Sequence, residues 1–573
     1  MVRKWWKLFY LIACLALVLS RSTNATAASI MGEEWEKFFR EKVSFGGFVE
    51  NTTGLSVSHG DRHFNTSNRF IMNRFTLQPE FNVEFTDWAK LFISWRFVKE
   101  PRYSAEAKSR EKSVTYFPPA PVKPLPSTFY DEDSPKPWEA VLDISPTDRW
   151  KIRIGRQFIS WGETDGLRLL DVINPQDLTF SPPAAPNLFN LDETRIPSWG
   201  LRALYTIRPV SNTILEAFAL PGMFDEAKQR VDEIVGSNDT NDRKVRYGRW
   251  SAHPETRMVF DPPGPAGPFN AFGNLFAIPL NPGCAAGIVT PACLVIPDTS
   301  RELPDAGDSW KLGARITHNI GKLNFGLGYI WGFNPQSTDM VFKPKGVRCS
   351  AVVPPGVPCP APSVVRLRLV NDRTSIFAGH FNYTVDQIAA IPLNTAIRGE
   401  VAFYPDQPYN ISKFPGPFGL RAGPHPRHPD GVVEKHTLRY ALGFDRSTLI
   451  PFLQEDPWRA FRMSFQIFQR IILDHEDGIR PFSTAERIKK VSTSLTFRVS
   501  TGYFGDTILP DIFVGYDPAG YWNANPAVTY APPWNEKITL SLIGAFYGGH
   551  NKFNSLGFFS EKDSVYLKMR YQF

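Results

Sequence analysis

Val565-Tyr-Leu-Lys-Met-Arg-Tyr-Gln-Phe573 closes the chain, and at period two it separates into two faces. Val565, Leu567, Met569, Tyr571 and Phe573 fall on one, and Tyr566, Lys568, Arg570 and Gln572 on the other. In a soluble core this strand would bury Lys568 and Arg570, which is costly for charged groups. Between lipid and water it fits, with its apolar face toward hydrocarbon and its charged face toward an aqueous lumen. A terminal Tyr571 and Phe573 closing such a strand resemble the assembly signal read by the barrel-assembly machinery of bacterial outer membranes. A barrel needs the same alternation many times over.

The chain supplies it. Phe75, Leu77, Phe81, Val83 and Phe85 alternate with Arg74, Thr76, Gln78, Glu80, Asn82 and Glu84. Thr86-Asp87 turns, and Ala89 to Phe97 resumes the alternation with Lys90, Ser94 and Arg96 on the polar side. Two alternating strands of about ten residues joined by a tight turn make a membrane-crossing hairpin. Further pairs follow at 138–144 with 149–160, 199–207 with 213–220, 310–318 with 323–333 and 376–385 with 395–404. Others are 437–445 with 458–468, 491–500 with 508–516 and 521–530 with 536–547. With a first strand from Val43 and the closing strand, the chain reads as an all-β, antiparallel up-and-down barrel of about 18 strands, spanning 43–573. Sixteen stays open because 508–516 and 521–530 are weakly patterned. Nine long outer loops and short periplasmic turns complete the expectation, and the patternless stretch 98–137 suits an outer loop far better than a compact soluble domain.

Composition agrees. Aromatic residues reach 14% while mean hydropathy is only −0.24, as expected where half of every strand is polar. There is no run of ~18 uncharged apolar residues after the N-terminus, so helical spans are excluded. Arg3, Lys4 and Lys7, then Leu8 to Leu19, then Ala25-Thr-Ala27 read as a signal peptide over 1–27. Leu11-Ile-Ala-Cys14 spells a lipoprotein signal, but it leaves too short an apolar run. The segment 1–27 holds four cations (Arg3, Lys4, Lys7, Arg21), so the formal charge of +7 falls to +3 on cleavage, which gives no argument for nucleic acid. Residues 28–42 form a short periplasmic segment, helical over 33–42. Cys284, Cys293, Cys349 and Cys359 form two close pairs in Pro- and Gly-rich segments, and two local disulfides are the expected pairing in an oxidising compartment. Neither pair has zinc spacing.

Assigning the polar face to the lumen collects Arg74, Arg96, Lys151, Arg153, Arg202, Arg315, Arg398, Arg439, Arg462, Arg498, Lys568 and Arg570, with Glu400 among fewer acids. Such a wall favours anions; alternatively the arginines pair with acids and stiffen the barrel. One outer loop is unlike the rest. Trp161-Gly-Glu-Thr-Asp-Gly-Leu-Arg-Leu-Leu-Asp-Val-Ile-Asn-Pro-Gln-Asp177 mixes Leu167, Leu169, Leu170, Val172 and Ile173 with Glu163, Asp165, Arg168, Asp171 and Asp177. Folded inward, its apolar residues would pack on the wall and its carboxylates would face the lumen arginines, making a constriction loop; the alternative is a small helical turn packed among the other loops.

Gly155-Arg-Gln-Phe-Ile-Ser-Trp-Gly-Glu163, followed by Asp171-Val-Ile-Asn-Pro-Gln-Asp177, resembles a Gram-negative family of outer-membrane barrels of unknown function. Arg398-Gly-Glu400 and the late strands are similar too. The resemblance implies a large channel-like barrel, located in the bacterial outer membrane among its lipid and lipopolysaccharide, and partnership with an envelope export system for lipophilic compounds. It carries over no catalytic residues. The segment 221–307 and the cysteines have no counterpart in it; Asp261 to Phe269 and 272–297 are apolar for an exposed loop and are expected to cap the mouth, with a site for greasy substrates as the alternative.

Other classes fit less well. An enzyme would need a Ser, His and acid at one rim, and the sequence has no HExxH, GxSxG or CxxC. His425-Pro-Arg-His428 reads as solvated, and Asn238-Asp-Thr-Asn-Asp242 lacks the Gly and distal Glu of a calcium loop. No metal or cofactor is expected. A plugged transporter would need a globular domain before the first strand, where only about fifteen residues stand after cleavage. A sheath around an electron-transfer partner is a third class, although the chain has no haem motif. A porin-like, non-enzymatic channel for passive passage of small solutes is the expected function.

Overall fold

The computed structural model describes residues 38, 40–57, 70–99, 122–124, 137–164, 167–174, 185–188, 193, 195–207, 212–221, 245–247, 298–302, 310–333, 341–349, 363–370, 373–388, 391–411, 427–428, 431–454, 456, 459–480, 487–549 and 563–573. Eighteen strands form the wall. They are β1 (Val43–Ser56), β2 (Phe70–Thr86), β3 (Ala89–Ser94, resumed at Phe97–Lys99), β4 (Glu139–Thr147), β5 (Trp150–Gln157), β6 (Ser198–Ile207), β7 (Thr213–Leu220), β8 (Lys311–Ile320) and β9 (Leu323–Phe333). There follow β10 (Arg373–Ile388), β11 (Ile391–Ile411), β12 (Val432–Thr448), β13 (Phe461–Ile472), β14 (Val491–Ser500), β15 (Ile508–Asp517), β16 (Tyr521–Tyr530), β17 (Ile538–Gly549) and β18 (Ser564–Gln572).

Each strand pairs antiparallel with its sequence neighbours, from Val43↔Val83 between β1 and β2 to Leu540↔Met569 between β17 and β18. β18 then pairs with β1, through Val49↔Tyr571 and Thr53↔Leu567. The sheet therefore has no edge, as a wall in lipid requires, because an unpaired backbone group there has no water to bond. Leu567, Met569 and Tyr571 of β18 are exposed outward and Tyr566 is fully buried, so the alternation that opened the sequence is observed. Leu327, Phe377 and Met569 are more than half exposed on the same outer face, whereas Tyr404 and Thr437 are buried on the inner one. This is a transmembrane β-barrel of the outer-membrane type, with its apolar belt outside and its polar wall inside.

The strand count follows expectation, while one outer connection and several strand boundaries differ from it. β15 and β16 are genuine neighbours, Ile508↔Tyr530 through Asp517↔Tyr521, so the count is eighteen; their outer link is only 518–520. One of the nine outer connections is thus a tight turn. β13 starts at Phe461, three residues later than its alternation suggests, and because β12 also runs three residues further, to Thr448, the periplasmic connection shifts to 449–460 without changing length. Only the last residues of the expected 33–42 helix are described; residues 40–42 are helical. The signal peptide, Cys284, Cys293, Cys359 and the segment 221–307 fall largely or wholly outside the described residues. Cys349 ends the short strand Val341–Cys349, and its side chain is not described.

Candidate functional site: a loop folded into the lumen

The loop between β5 and β6 leaves the wall where two features coincide. Gly155, one turn of the pleat before the end of β5, has φ +132, and a Cβ there would lie 1.9 Å from the Ala140 carbonyl oxygen. Only glycine lets β4 and β5 approach in that conformation. Arg156 next to it is buried and donates to the carbonyls of Pro137 (2.6 Å) and Pro197 (3.1 Å), holding the two feet of neighbouring loops.

Beyond Gln157 the chain turns inward. Trp161, Leu169, Leu170, Val172 and Ile173 are each 4% exposed or less. They form one apolar cluster with Phe218 and Leu220 of β7, Ile330 of β9, Ile376 and Ala378 of β10, and Ala402 and Tyr404 of β11. Burying side chains of this size contributes roughly 1.5–3 kcal/mol each. Trp161 sits edge-on to Phe218 at 5.2 Å and donates its indole N–H to Glu216 at 3.0 Å, and Arg315 lies 5.1 Å over its ring.

Glu400 of β11 anchors this near end. Its carboxylate, 3% exposed, accepts the backbone N–H of Glu163, of Thr164 (2.8 Å) and of Leu170 (3.1 Å). Arg398, two residues before it, donates to the Glu163 carbonyl and to Asp445 (2.9 Å). Lys311 of β8 donates to the carbonyls of Val172 and Ile173, the latter at 3.0 Å. Arg398-Gly-Glu400 and the Trp161-Gly-Glu163 run are thus two halves of one contact.

Inside the loop, Asp171 departs from expectation. It does not face the lumen; it is buried and accepts the Ser160 hydroxyl (2.6 Å) and the N–H groups of Trp161 (3.0 Å) and Gly162 (3.1 Å). Buried backbone donors need partners, and a carboxylate serves two of them here. A Cβ on Gly162 would come within 2.9 Å of that carboxylate. Asn174 does the same work from the other side. It accepts from Ile159 N–H (2.7 Å) and donates to the carbonyls of Gln157 and Ile196 (both 3.0 Å). Arg168 donates to the Asn174 carbonyl at 2.7 Å, within the loop rather than across the opening. Glu163 comes within 3.6 Å of His380 on β10. Asp165 and Asp177 lie outside the described residues.

The far half of the loop lands on the opposite arc of the wall. Asn187 donates through its N–H and its side chain to Asn525 of β16, at 2.9 and 2.6 Å, and Arg498 of β14 reaches it at 3.3 Å. Lys568 of β18 donates to the Leu188 carbonyl at 2.9 Å. The Glu193 carboxylate lies 3.3 Å from both Lys568 and Arg570, and Arg96 holds the Glu193 carbonyl at 3.0 Å. The described parts of the loop therefore contact two arcs of the inner wall, one on β7–β13 and the other running from β14 through β18 to β3.

The other wall residues take the pairing alternative. Arg153 forks onto Asp143 (2.7 and 2.9 Å), Arg202 and Arg315 share Glu216 (2.7 Å each), and Arg498 meets Asp511 at 2.5 Å. Arg570 is 2.6 Å from Glu50. Arg439 lies 4.1 Å over the Tyr404 ring. Arg74 faces inward between Met72 and Thr76, and Lys151 and Arg462 are exposed on the inner face. Tyr571 is outside with the lipid-facing residues, while Phe573 donates its N–H to Gly47 and stacks 5.5 Å from Phe45. Sequence reasoning missed Glu50, Asp143, Glu216, Asp511, Asn187 and Glu193. At the outer rim His428 is not merely solvated but bonds Glu476 at 3.0 Å, alongside Lys435 at 2.5 Å. Among the described residues no group of three or more His, Cys, Asp or Glu comes together.

Residues 9–573 match the model of the family described as "protein of unknown function (DUF1302)". The chain belongs to that family. No curated protein matches it. Among solved structures, the chain is similar to Pseudomonas aeruginosa OccK1 (OpdK), at 9% identity over 94% of this chain and 99% of that one, with a TM-score of 0.41. Acinetobacter baumannii OccAB3 gives 8% over 93% and 99%, at 0.41, and Pseudomonas aeruginosa OpdL 8% over 93% and 98%, at 0.40.

Proposed function

We propose that this barrel is a porin-like channel of the bacterial outer membrane, passive and non-enzymatic, whose bore is set by the loop that starts at Phe158. The observation that carries it is the inward loop seated on an eighteen-stranded wall. A closed wall of that size leaves an aqueous lumen, where eight strands would fill with side chains. A loop folded into such a lumen narrows it. Single-channel recording of the purified protein tests the reading, and a bilayer that stays silent at all voltages contradicts it.

The constriction role belongs to Trp161, Glu163, Arg168 and Asp171 as framework, with the open side of the loop facing the wall arginines. A mild anion preference is part of the proposal. Basic residues outnumber acidic ones on the inner face among the described residues, although most of the strongest charges are paired across strands. Reversal potentials in a salt gradient decide it, and a cation-selective shift removes it. Tyr571 and Phe573 are proposed as the mark read by the barrel-assembly machinery, and the partnership with an export system stays a proposal from resemblance alone.

A further inference from the structure

The far anchor of the loop has a composition unlike the near one. Three cations converge there: Lys568 and Arg570 from β18 and Arg96 from β3. Arg570 lies 4.2 Å over the ring of Phe48, and Arg96 lies 4.7 Å over that of Trp138. Stacking of this kind fixes a planar guanidinium and leaves its N–H edge to face the lumen. Two carboxylates answer them. Glu50 is part of β1 and meets Arg570 at 2.6 Å and Lys568 at 3.4 Å. Glu193 comes from the loop and touches the same two cations at 3.3 Å each. One carboxylate is wall and the other is carried by a segment that is not.

We propose that Lys568, Arg570 and Arg96 form a carboxylate-binding recess of this channel, that Glu193 occupies it as a tethered surrogate, and that an organic monocarboxylate displaces Glu193 on passing. The exchange is of like for like. A solute carboxylate replaces one anion by another at the same two donors, so the recess is never left with uncompensated charge, the costly state for partly buried ions. Displacement also removes the ion pairs of Glu193 with Lys568 and Arg570, so occupancy changes one contact between the loop and the wall. A glutamate side chain ends in a propionate, which makes propionate the closest soluble mimic.

The transport consequence rests on the channel reading above, but the binding does not, and the two fail separately. Saturation-transfer NMR of propionate on the purified full chain reads binding alone. Glu193→Gln removes the competing charge while keeping the side chain's shape, and propionate should then bind at about one-tenth of the concentration needed for wild type. Glu193→Asp, a shorter carboxylate, should fall between. Adding Arg570→Gln to Glu193→Gln should abolish the signal, and propionamide should give none with any variant. A Glu193 that merely fixes the loop predicts no gain in affinity on neutralisation. Equal or weaker binding by Glu193→Gln, or binding that survives Arg570→Gln, overturns the recess. Silence of wild type in a chloride bilayer, with the tenfold gain intact, removes the channel reading and leaves the site.

Discussion

At its near end the inner loop gives backbone N–H groups to one buried carboxylate and seats five apolar side chains on the wall of β7–β11. At its far end it meets β14–β18 and β3 through an asparagine pair and through the side-chain charge of Glu193. The near contact consists of hydrophobic area and backbone bonds, which salt does not screen. The far contact adds to its hydrogen bonds two ion pairs of Glu193 whose side chains are 12–25% exposed, which salt and competing ions weaken. Two attachments of one loop are therefore expected to release under different conditions, and the far one releases first. A strap with a fixed end and a labile end can change the bore without unfolding the wall.

The largest way to break that contrast is to remove the fixed end. Glu400→Ala orphans the buried N–H of Leu170 and the part-buried N–H groups of Glu163 and Thr164, and an unsatisfied buried donor costs about 1–3 kcal/mol. The loop should become cleavable by added protease on the outer side while the barrel keeps its heat-modifiable migration; a loop that stays resistant denies Glu400 its role. Next comes the apolar seat. Leu170→Ala in the cluster should cost about 2–5 kcal/mol of local stability. Hydrogen exchange of the Thr164 and Leu170 amides should accelerate, with the β14–β18 ladder unchanged. Smaller again is the labile end. Raising KCl from 0.1 to 1 M should increase conductance more than bulk conductivity does in wild type and no more than it in Glu193→Gln, and parallel curves for the two proteins would erase the distinction.

Much of the wall was legible because its alternation is undisturbed where lipid and water face each other directly. It failed where the loop covers the wall. On β7 the inner residues are Ile214, Glu216, Phe218 and Leu220, apolar except for one acid because they lie beneath Trp161 and its neighbours. A half-polar pattern cannot show there, and Glu216 vanished into a greasy strand. Glu50 was hidden similarly by Gly46-Gly47, which break the period in β1. The mixed composition of Trp161 to Asp177 did announce an inward fold, since apolar side chains in an outer loop need a surface to cover. It could not announce that Asp171 and Asn174 satisfy the loop's own backbone, because that depends on where the chain turns back. Glu193 carried no local signal at all; its meaning comes from strands almost four hundred residues later.

The smallest effect concerns the outer rim, away from both ends. Lys435 and then His428 hold the Glu476 carboxyl down to about 2, from an ordinary value of 4.5. A depressed carboxyl contributes stability above its ordinary value and loses it as pH falls from about 4.5 toward 2. Hydrogen exchange in 473–478 should therefore quicken over that window, and Glu476→Gln should be indifferent to it.

The central claim is that the loop after β5 sets the bore of an open barrel. Planar-bilayer recording of wild type beside a chain lacking 167–177 tests it most directly. Wild type should give steps on the order of a few hundred picosiemens, as expected for an aqueous lumen of this strand number, and the shortened chain should give larger ones at the same salt. Equal step sizes from two properly folded barrels would contradict the account.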